Sequence, residues 1–416
     1  MSIFRPYLIT HIYLNKELNL PKLDVDQKGN YLVFWWQNIA LGQIFIEPDY
    51  LISQQEYYEK VIVAITPAIN WYSKKTDFTA NQWKVWLQSQ MHKDLSDWMN
   101  NLFRRWTSAE VPERVQVSVV VCTRNRAPYL KKCLKMLQEL SCQPEEIVVV
   151  DNASTDSATK EVVKSFDGVK YIKESREGLD FARNTGILNA TFSVVAFVDD
   201  DVLVHPLWLH QVWETFHDPH TAAMTGLVIA SKLDTEAQMI FEKYWSFNRG
   251  YVDIIYDSNF FTSTLSKGPP VWEIGAGANM AFRKSVFDQV GLFNELLDVG
   301  AAGCNGDSEM WYRILSNGHS IHYNPRAVVY HEHRKDMKGL KKQIFYYMRG
   351  FTAAALIQQK QNNQAGYNAH LLKVLPKYYL KVLKRGFPYY SFQYQTLKDE
   401  LRGIFSGLVF HFKHRN

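Results

Sequence analysis

Several features that would settle the class of this chain are missing from it. Only four cysteines occur in 416 residues, Cys122, Cys133, Cys142 and Cys304, and none forms a Cys-x-x-Cys pair. A disulfide framework is therefore not written into the sequence, and buried free thiols in a reducing compartment fit better. No stretch reaches the roughly 18 consecutive apolar residues that a membrane-spanning helix needs. The opening Met1-Ser2-Ile3-Phe4-Arg5 lacks the apolar core of a secretory signal. Internal repeats and low-complexity tracts are absent as well. These absences point to a cytoplasmic chain, at most peripheral on the cytoplasmic membrane face, with no nucleic acid among its expected partners.

What is present is ordinary for a globular protein: 46% hydrophobic and 21% charged residues. The aromatic share of 14% reads mainly as core filling rather than as stacking surface for sugars or bases. Charge is unevenly spread. From Arg334 onward sixteen Lys and Arg face three acidic residues, about +13, while the whole chain carries +5. The tail is therefore a candidate for an anionic surface, the plainer reading being a solvated basic face.

Three regions follow from the pattern. Residues 1–112 are rich in Trp and Tyr; Tyr31 to Trp36 and Ile44 to Ile46 flank Leu41-Gly42 as strand, turn, strand, and a helix is predicted from about Asn81 to Phe103. This reads as a small α+β accessory domain without a chemical motif. Residues 113–334 alternate strand and helix signals. Val115 to Val121 is almost continuously β-branched, as a strand buried on both faces should be. Leu130, Cys133, Leu134 and Leu137 then keep a helical period. Strands at Glu146 to Val150, Lys170 to Lys173 and Ser193 to Val198 and a helix at Phe181 to Leu188 complete a β-α-β-α order, with Asp156 placed to cap a helix. That order predicts an α/β fold with a mostly parallel sheet and flanking helices. Residues 335–416 form a basic, helical region in which Pro376 marks a helix start, and the apolar segment Gly403 to Phe412 is suited to lying in an interface.

In open α/β sheets, ligands sit beyond the carboxyl ends of the strands. Here three strands end in polar or acidic clusters: Thr123-Arg124-Asn125-Arg126, Asp151-Asn152-Ala153-Ser154-Thr155-Asp156, and Asp199-Asp200-Asp201. Singly, each could be a turn or a cap; together they mark a site. Three adjacent carboxylates are costly without a cation, and Mg²⁺ or Mn²⁺ is commonly shared between one or two carboxylates and substrate phosphates. If the strand continued through them, Asp199 and Asp201 would face one way and Asp200 the other. A dinucleotide-binding oxidoreductase would need G-x-G-x-x-G after the first strand, where the chain has Cys122-Thr123-Arg124-Asn125; a Walker A loop is absent too.

The segments Ser118 to Arg126, Val148 to Asp156, Gly178 to Gly186 and Phe197 to Asp201, followed by Gly277 to Arg283, Gly306 to Arg313 and Tyr330 to Arg334, resemble glycosyltransferase family 2 in order and spacing. The resemblance spans about 115 to 334. It implies a GT-A fold and an inverting transfer from a nucleoside diphosphate sugar, commonly a UDP-sugar, to a saccharide or lipid-linked acceptor, as in polysaccharide biosynthesis. It further implies that Thr123, Arg124 and Asn125 line the nucleotide pocket and that Asp151 accepts a hydrogen bond from the base. Arg183 and Asn184 would approach the ribose or diphosphate, and Asp200 the ribose. Asp201 would be the main metal ligand, supported by Asp199, with His331 completing the site.

Inversion requires a base for the acceptor hydroxyl and, opposite it, stabilisation of the leaving diphosphate. Asp307 is the candidate base, with Glu309 as its rival, because Gly306 stands where the family often carries an acidic residue. Asp307 could also be a helix N-cap, and Arg313 reads as an anchor. His331 and His333 are expected to face opposite ways, one a ligand and the other not. The competing functional readings are a nucleotidyltransferase on a similar sheet and a non-catalytic nucleotide-sugar-binding module.

Overall fold

The computed structural model describes residues 4–24, 27–75, 82–107 and 110–414. The amino-terminal part forms a three-stranded sheet, β1 (Tyr7–Tyr13), β2 (Gly29–Trp36) and β3 (Ile39–Ile46), with helices α1 (Gln54–Lys74), α2 (Gln82–Gln88) and α3 (His92–Thr107). The single helix predicted here is two, broken after Gln88; its expected start at Asn81 lies outside the described residues. Alternation along β2 explains the packing. Leu32, Phe34 and Trp36 face the helices, whereas Tyr31, Val33 and Trp35 pack with Leu227, Ile229 and Val328 of the second sheet. Every residue of β2 is buried, so this unit is joined to the second sheet through a shared core.

The second sheet contains β4 (Arg114–Thr123), β5 (Gln143–Asn152), β6 (Val169–Glu174), β7 (Val194–Val198), β8 (Val202–Val204), β9 (Thr221–Ala230), β10 (Ile254–Tyr256), β11 (Asn279–Arg283) and β12 (Ser320–His331). Its order is β10-β12-β9-β11-β7-β4-β5-β6, with β8 paired to β12. Strands β7, β4, β5 and β6 are mutually parallel, as the β-α-β-α pattern requires. Beyond β7 the sheet is mixed, because β11 runs antiparallel to both β7 and β9. The connecting helices α4 (Ala127–Gln138), α5 (Ala158–Lys164), α6 (Leu179–Asn189), α7 (Trp208–Thr215), α8 (Glu236–Tyr244), α9 (Ser258–Thr264), α10 (Val286–Val290) and α11 (Gly306–Ser316) complete the layers. Val119 and Val121 face one core and Val120 the other, the double burial that the β-branched run foretold. Asp156 accepts from the Ala158 N–H at 3.0 Å at the start of α5.

The carboxyl-terminal region comprises α12 (Met337–Gln361), α13 (Tyr367–Ala369), α14 (Leu375–Gly386) and α15 (Leu397–Lys413). Pro376 is the second residue of α14 but does not mark a helix start, because a π-helical turn, His370–Val374, leads into α14 without a break. Helix α15 lies along α12 through two glycines. A Cβ at Gly403 would come within 2.4 Å of the Phe345 carbonyl, and one at Gly407 within 2.5 Å of the Arg349 carbonyl. The apolar segment read as interfacial thus docks one side on the protein and leaves Phe405, Val409 and Phe412 exposed. Among the described residues no helix is long and apolar enough to cross a membrane. Replacing Gly403 or Gly407 by Val should force α15 from α12 at a cost of about 1–3 kcal/mol. Thermal unfolding and proteolysis between α14 and α15 would register it; unchanged stability would contradict the packing.

Candidate active site

The carboxyl ends of β4, β5 and β7 meet at one rim. At the end of β4, Thr123 Oγ1 donates to Asp200 Oδ2 at 2.6 Å. Asn125 adopts the left-handed conformation, with φ of 54°, and its amide oxygen accepts from the Thr155 N–H at 2.9 Å, tying the β4 and β5 loops together. Arg124 lies further out, paired with Glu177 at 2.8 Å. At the end of β5 the Tyr171 hydroxyl donates to Asp151 Oδ2 at 2.7 Å, while Asp151 Oδ1 is buried without a partner. A buried acceptor left open in this way suits a ligand N–H.

Strand β7 ends at Val198, and Asp199 to Asp201 pass into a turn. The expected alternation is therefore lost. Asp200 and Asp201 both reach Arg126, at 2.8 and 2.7 Å. Arg126 is the one residue of the first cluster to which no role was assigned, although it stood in the motif. Burial lifts the Asp199 carboxyl to about 7, with the Asp201 charge adding to it. Burial also lifts Asp200 to about 6, against the pull of Arg126. Asp201 goes the other way: burial would raise it, but Arg126 and then His331 hold it below its usual range. Two of three carboxylates thus resist ionisation, through burial first and mutual repulsion second, with too little positive charge nearby to offset both.

That deficit is what a divalent cation would relieve. Among the described residues no three ligating groups are gathered to enclose an ion. The donor set suits a cation that takes most of its oxygens from a bound phosphate ligand, with few protein contacts.

Across the rim, Asp307 occupies the first turn of α11 and is not its N-cap, a position held by Asn305. Its Oδ2 accepts from the Gly277 N–H at 2.8 Å and its Oδ1 from the Ser308 N–H at 2.7 Å. Burial pushes its carboxyl up, Asp298 adds to this and Arg183 opposes it. Arg183 is itself held between Asp180, at 2.9 Å, and Asp298, at 2.6 Å. The glycine before Asp307 has a steric cause. A Cβ at Gly306 would stand 2.2 Å from Asp180 Oδ2, so the space an acidic side chain would use is already filled by a carboxylate from α6. Asp180 stands within the Gly178 to Gly186 segment without an expected role, and nothing in the spacing signals Asp298.

Two expected site residues are occupied elsewhere. The Asn184 amide clasps the Phe293 backbone, donating to its carbonyl at 3.0 Å and accepting from its N–H at 2.8 Å. It latches a loop and has no group left for a ribose or diphosphate. Both oxygens of Glu309 accept from Arg313, at 2.9 and 3.0 Å, and Arg313 also holds the carbonyls of Gly291 and Leu292, at 3.1 and 2.8 Å. The Glu309 carboxylate, 1% exposed, is thereby an anchor rather than a base, and Arg313 is the anchor the sequence suggested.

At the end of β12, His331 and His333 do not diverge. Two residues apart at the end of an extended segment, they share a face, and the two Nδ1 atoms come within 3.0 Å. Burial and the neighbouring ring lower His331 to about 4, so the ring is neutral near pH 7. Neutral imidazole is the ligating form.

Removing one partner of a buried ion pair costs about 3–5 kcal/mol. Glu309→Ala should therefore lower the urea midpoint sharply, whereas Asp307→Asn, which keeps an oxygen for the Gly277 N–H, should cost far less. Equal losses would contradict the separate roles of the two carboxylates.

Residues 118–291 match the Glycosyl transferase family 2 model. The glycosyltransferase AglE of Haloferax volcanii is 27% identical over 235 residues, covering 55% of this chain and 70% of that protein. A pre-mycofactocin glycosyltransferase of Mycobacterium tuberculosis is 28% identical over 249 residues, 59% of this chain and 48% of that one. The chain thus spans about half the length of the mycobacterial relative. A glucosyl-dolichyl phosphate glucuronosyltransferase of Haloferax volcanii is 23% identical over 286 residues, 65% of this chain and 86% of that protein. Together with a strand rim that carries the Thr123, Asp151 and Asp199 clusters, these matches give the chain a glycosyltransferase family 2 domain over residues 118–291 and support a glycosyltransferase.

Proposed function

We propose that this enzyme inverts the anomeric centre while moving a sugar from a UDP-sugar to a hydroxyl of a saccharide or lipid-linked acceptor. The observation that carries this reading is the separation of two kinds of carboxylate at one rim. Asp199 to Asp201 crowd together, two of them paired with Arg126, while Asp307 belongs to the cluster around Arg183, buried and pushed up in pKa.

In this reading Asp151 takes the N3–H of uracil on its open oxygen. Thr123 holds Asp200 in place beside the ribose, and Arg124 and Asn125 border the nucleotide. Asp201 and His331, with Asp199, would hold Mn²⁺ or Mg²⁺, which supplies positive charge to the diphosphate. Arg126 favours the ionised forms of Asp200 and Asp201 and holds both carboxylates at the rim. Arg183, fixed between Asp180 and Asp298, is too constrained to follow a leaving group. It instead sets the field around Asp307. Asp307 removes the acceptor proton as that oxygen attacks, with the Gly277 and Ser308 N–H groups fixing the carboxylate. The matches to glycosyltransferases favour this over nucleotidyl transfer or mere binding.

The acceptor side has a physical setting in the tail. Lys373, Lys377, Lys381 and Lys384 run along one flank of the α14 segment, beside exposed Leu372, Leu380 and Leu383, and Phe387 and Tyr389 are 76% and 83% exposed just beyond it. Cationic and aromatic groups mixed in this way suit an anionic bilayer, where a lipid-linked acceptor resides.

Nucleotide release from UDP-sugars with Mn²⁺ tests the reaction. Asp201→Ala should abolish it. Asp307→Asn should reduce it by about 10²–10⁴ and leave UDP binding intact; a mild effect would remove Asp307 from the role of base. Because Asp298 pushes the Asp307 carboxyl up, Asp298→Asn should move the acid limb of kcat to lower pH. An unmoved or raised limb would contradict that coupling. Flotation with anionic vesicles should occur at low salt and fail at high salt; absence of binding in both would end the membrane reading.

A further inference from the structure

Glu242 lies in the last turn of α8, in a stretch that no motif marks, yet its carboxylate is only 1% exposed. A buried carboxylate requires partners. Its Oε2 stands 2.9 Å from His333 Nε2, and His333 Nδ1 stands 3.0 Å from His331 Nδ1. The hydroxyl of Tyr31, on β2 of the amino-terminal sheet, donates to Gln43 Oε1 and covers the far side of the carboxylate at 3.5 Å from Glu242 Oε1. Phe247 stands edge-on to the His331 ring, with centroids 5.4 Å apart, and Phe241 packs on His333 at 4.5 Å. The row is thus walled with apolar rings.

Proton bookkeeping along this row has few solutions. An ionised carboxylate only accepts, so His333 carries its hydrogen on Nε2. A neutral His333 then offers a lone pair at Nδ1, and the contact between the rings is satisfied only if His331 donates from its own Nδ1. That leaves the lone pair of His331 on Nε2. The reverse order needs one more proton in the row, on Glu242 or on His333, and would leave an Nε2–H on His331, with no lone pair to offer.

We propose that Glu242 and His333 are positioning residues that lock His331 in its Nδ1–H tautomer and so prepare Nε2 as a ligand atom beside Asp201. Carboxylate–histidine pairs fix ring orientation and tautomer behind metal ligands in this way. The row gives the amino-terminal unit a place in the chemistry: β2 seals the carboxylate at the end remote from the rim. The ligand role of His331 rests on the proposed metal-assisted transfer; the tautomer does not.

The test uses the full chain, metal-free, with its 13 histidines labelled with ¹⁵N. Two-bond ¹H–¹⁵N correlations report each tautomer, and His331→Gln and His333→Gln assign the signals. Wild type should show His331 protonated at Nδ1 alone. In Glu242→Gln, whose amide can donate or accept, His331 should become a tautomer mixture, and Mn²⁺ affinity with UDP present, read from free-ion EPR, should fall about 10–100-fold. An Nε2–H tautomer for His331 in wild type, or an unaltered tautomer in Glu242→Gln, overturns the proposal. A tautomer change with unaltered Mn²⁺ affinity upholds the row and counts against His331 as a ligand. Should Glu242→Gln fail to fold, the wild-type spectrum decides alone.

Discussion

Repulsion among three neighbouring carboxylates organises this molecule. Asp199, Asp200 and Asp201 follow a strand of five buried apolar residues, so they enter a region of low dielectric together. Coulomb repulsion at such spacing is only weakly screened there. Arg126 answers part of it by bridging Asp200 and Asp201, and Asp199 is left to resist ionisation. A turn this unfavourable to ionise is a standing demand for a cation. The rest of the rim is arranged around that demand: Thr123 pins Asp200, His331 stands neutral beside Asp201, and a second cluster keeps Asp307 at a distance.

The second cluster solves an opposite problem. Asp180, Asp298 and Asp307 surround one guanidinium, Arg183. With more carboxylates than cations, Asp307 is basic for its type, which is what proton abstraction from an alcohol asks of it. Gly306 belongs to the same arrangement, since the Asp180 carboxylate occupies the space its side chain would take.

Much of this was legible before any coordinates. The β-branched run of β4, the helical period of α4 and the polar clusters after three strands locate the sheet and its rim, because double burial and strand-end placement leave direct marks in composition. The mixed half of the sheet was hidden, since the antiparallel pairing of β11 depends on a long excursion with no period of its own. Alternation misled at Asp200, because β7 ends at Val198, whereas His331 and His333, two residues apart, share the one face that alternation gives them. Asn184 and Glu309 sit within recognisable motifs but face backbone and Arg313, and a motif does not reveal which way a side chain is occupied. Asp298 and Glu242 come from unmarked segments and act only through long-range packing, as does Tyr31 of the amino-terminal sheet.

Diffraction at the manganese edge from crystals soaked with UDP and Mn²⁺ bears most directly on the central claim. The account predicts an anomalous peak at the Asp201 carboxylate, with diphosphate oxygens completing its shell and Asp307 clear of it. A peak remote from Asp201, or one bound by Asp307, would contradict it.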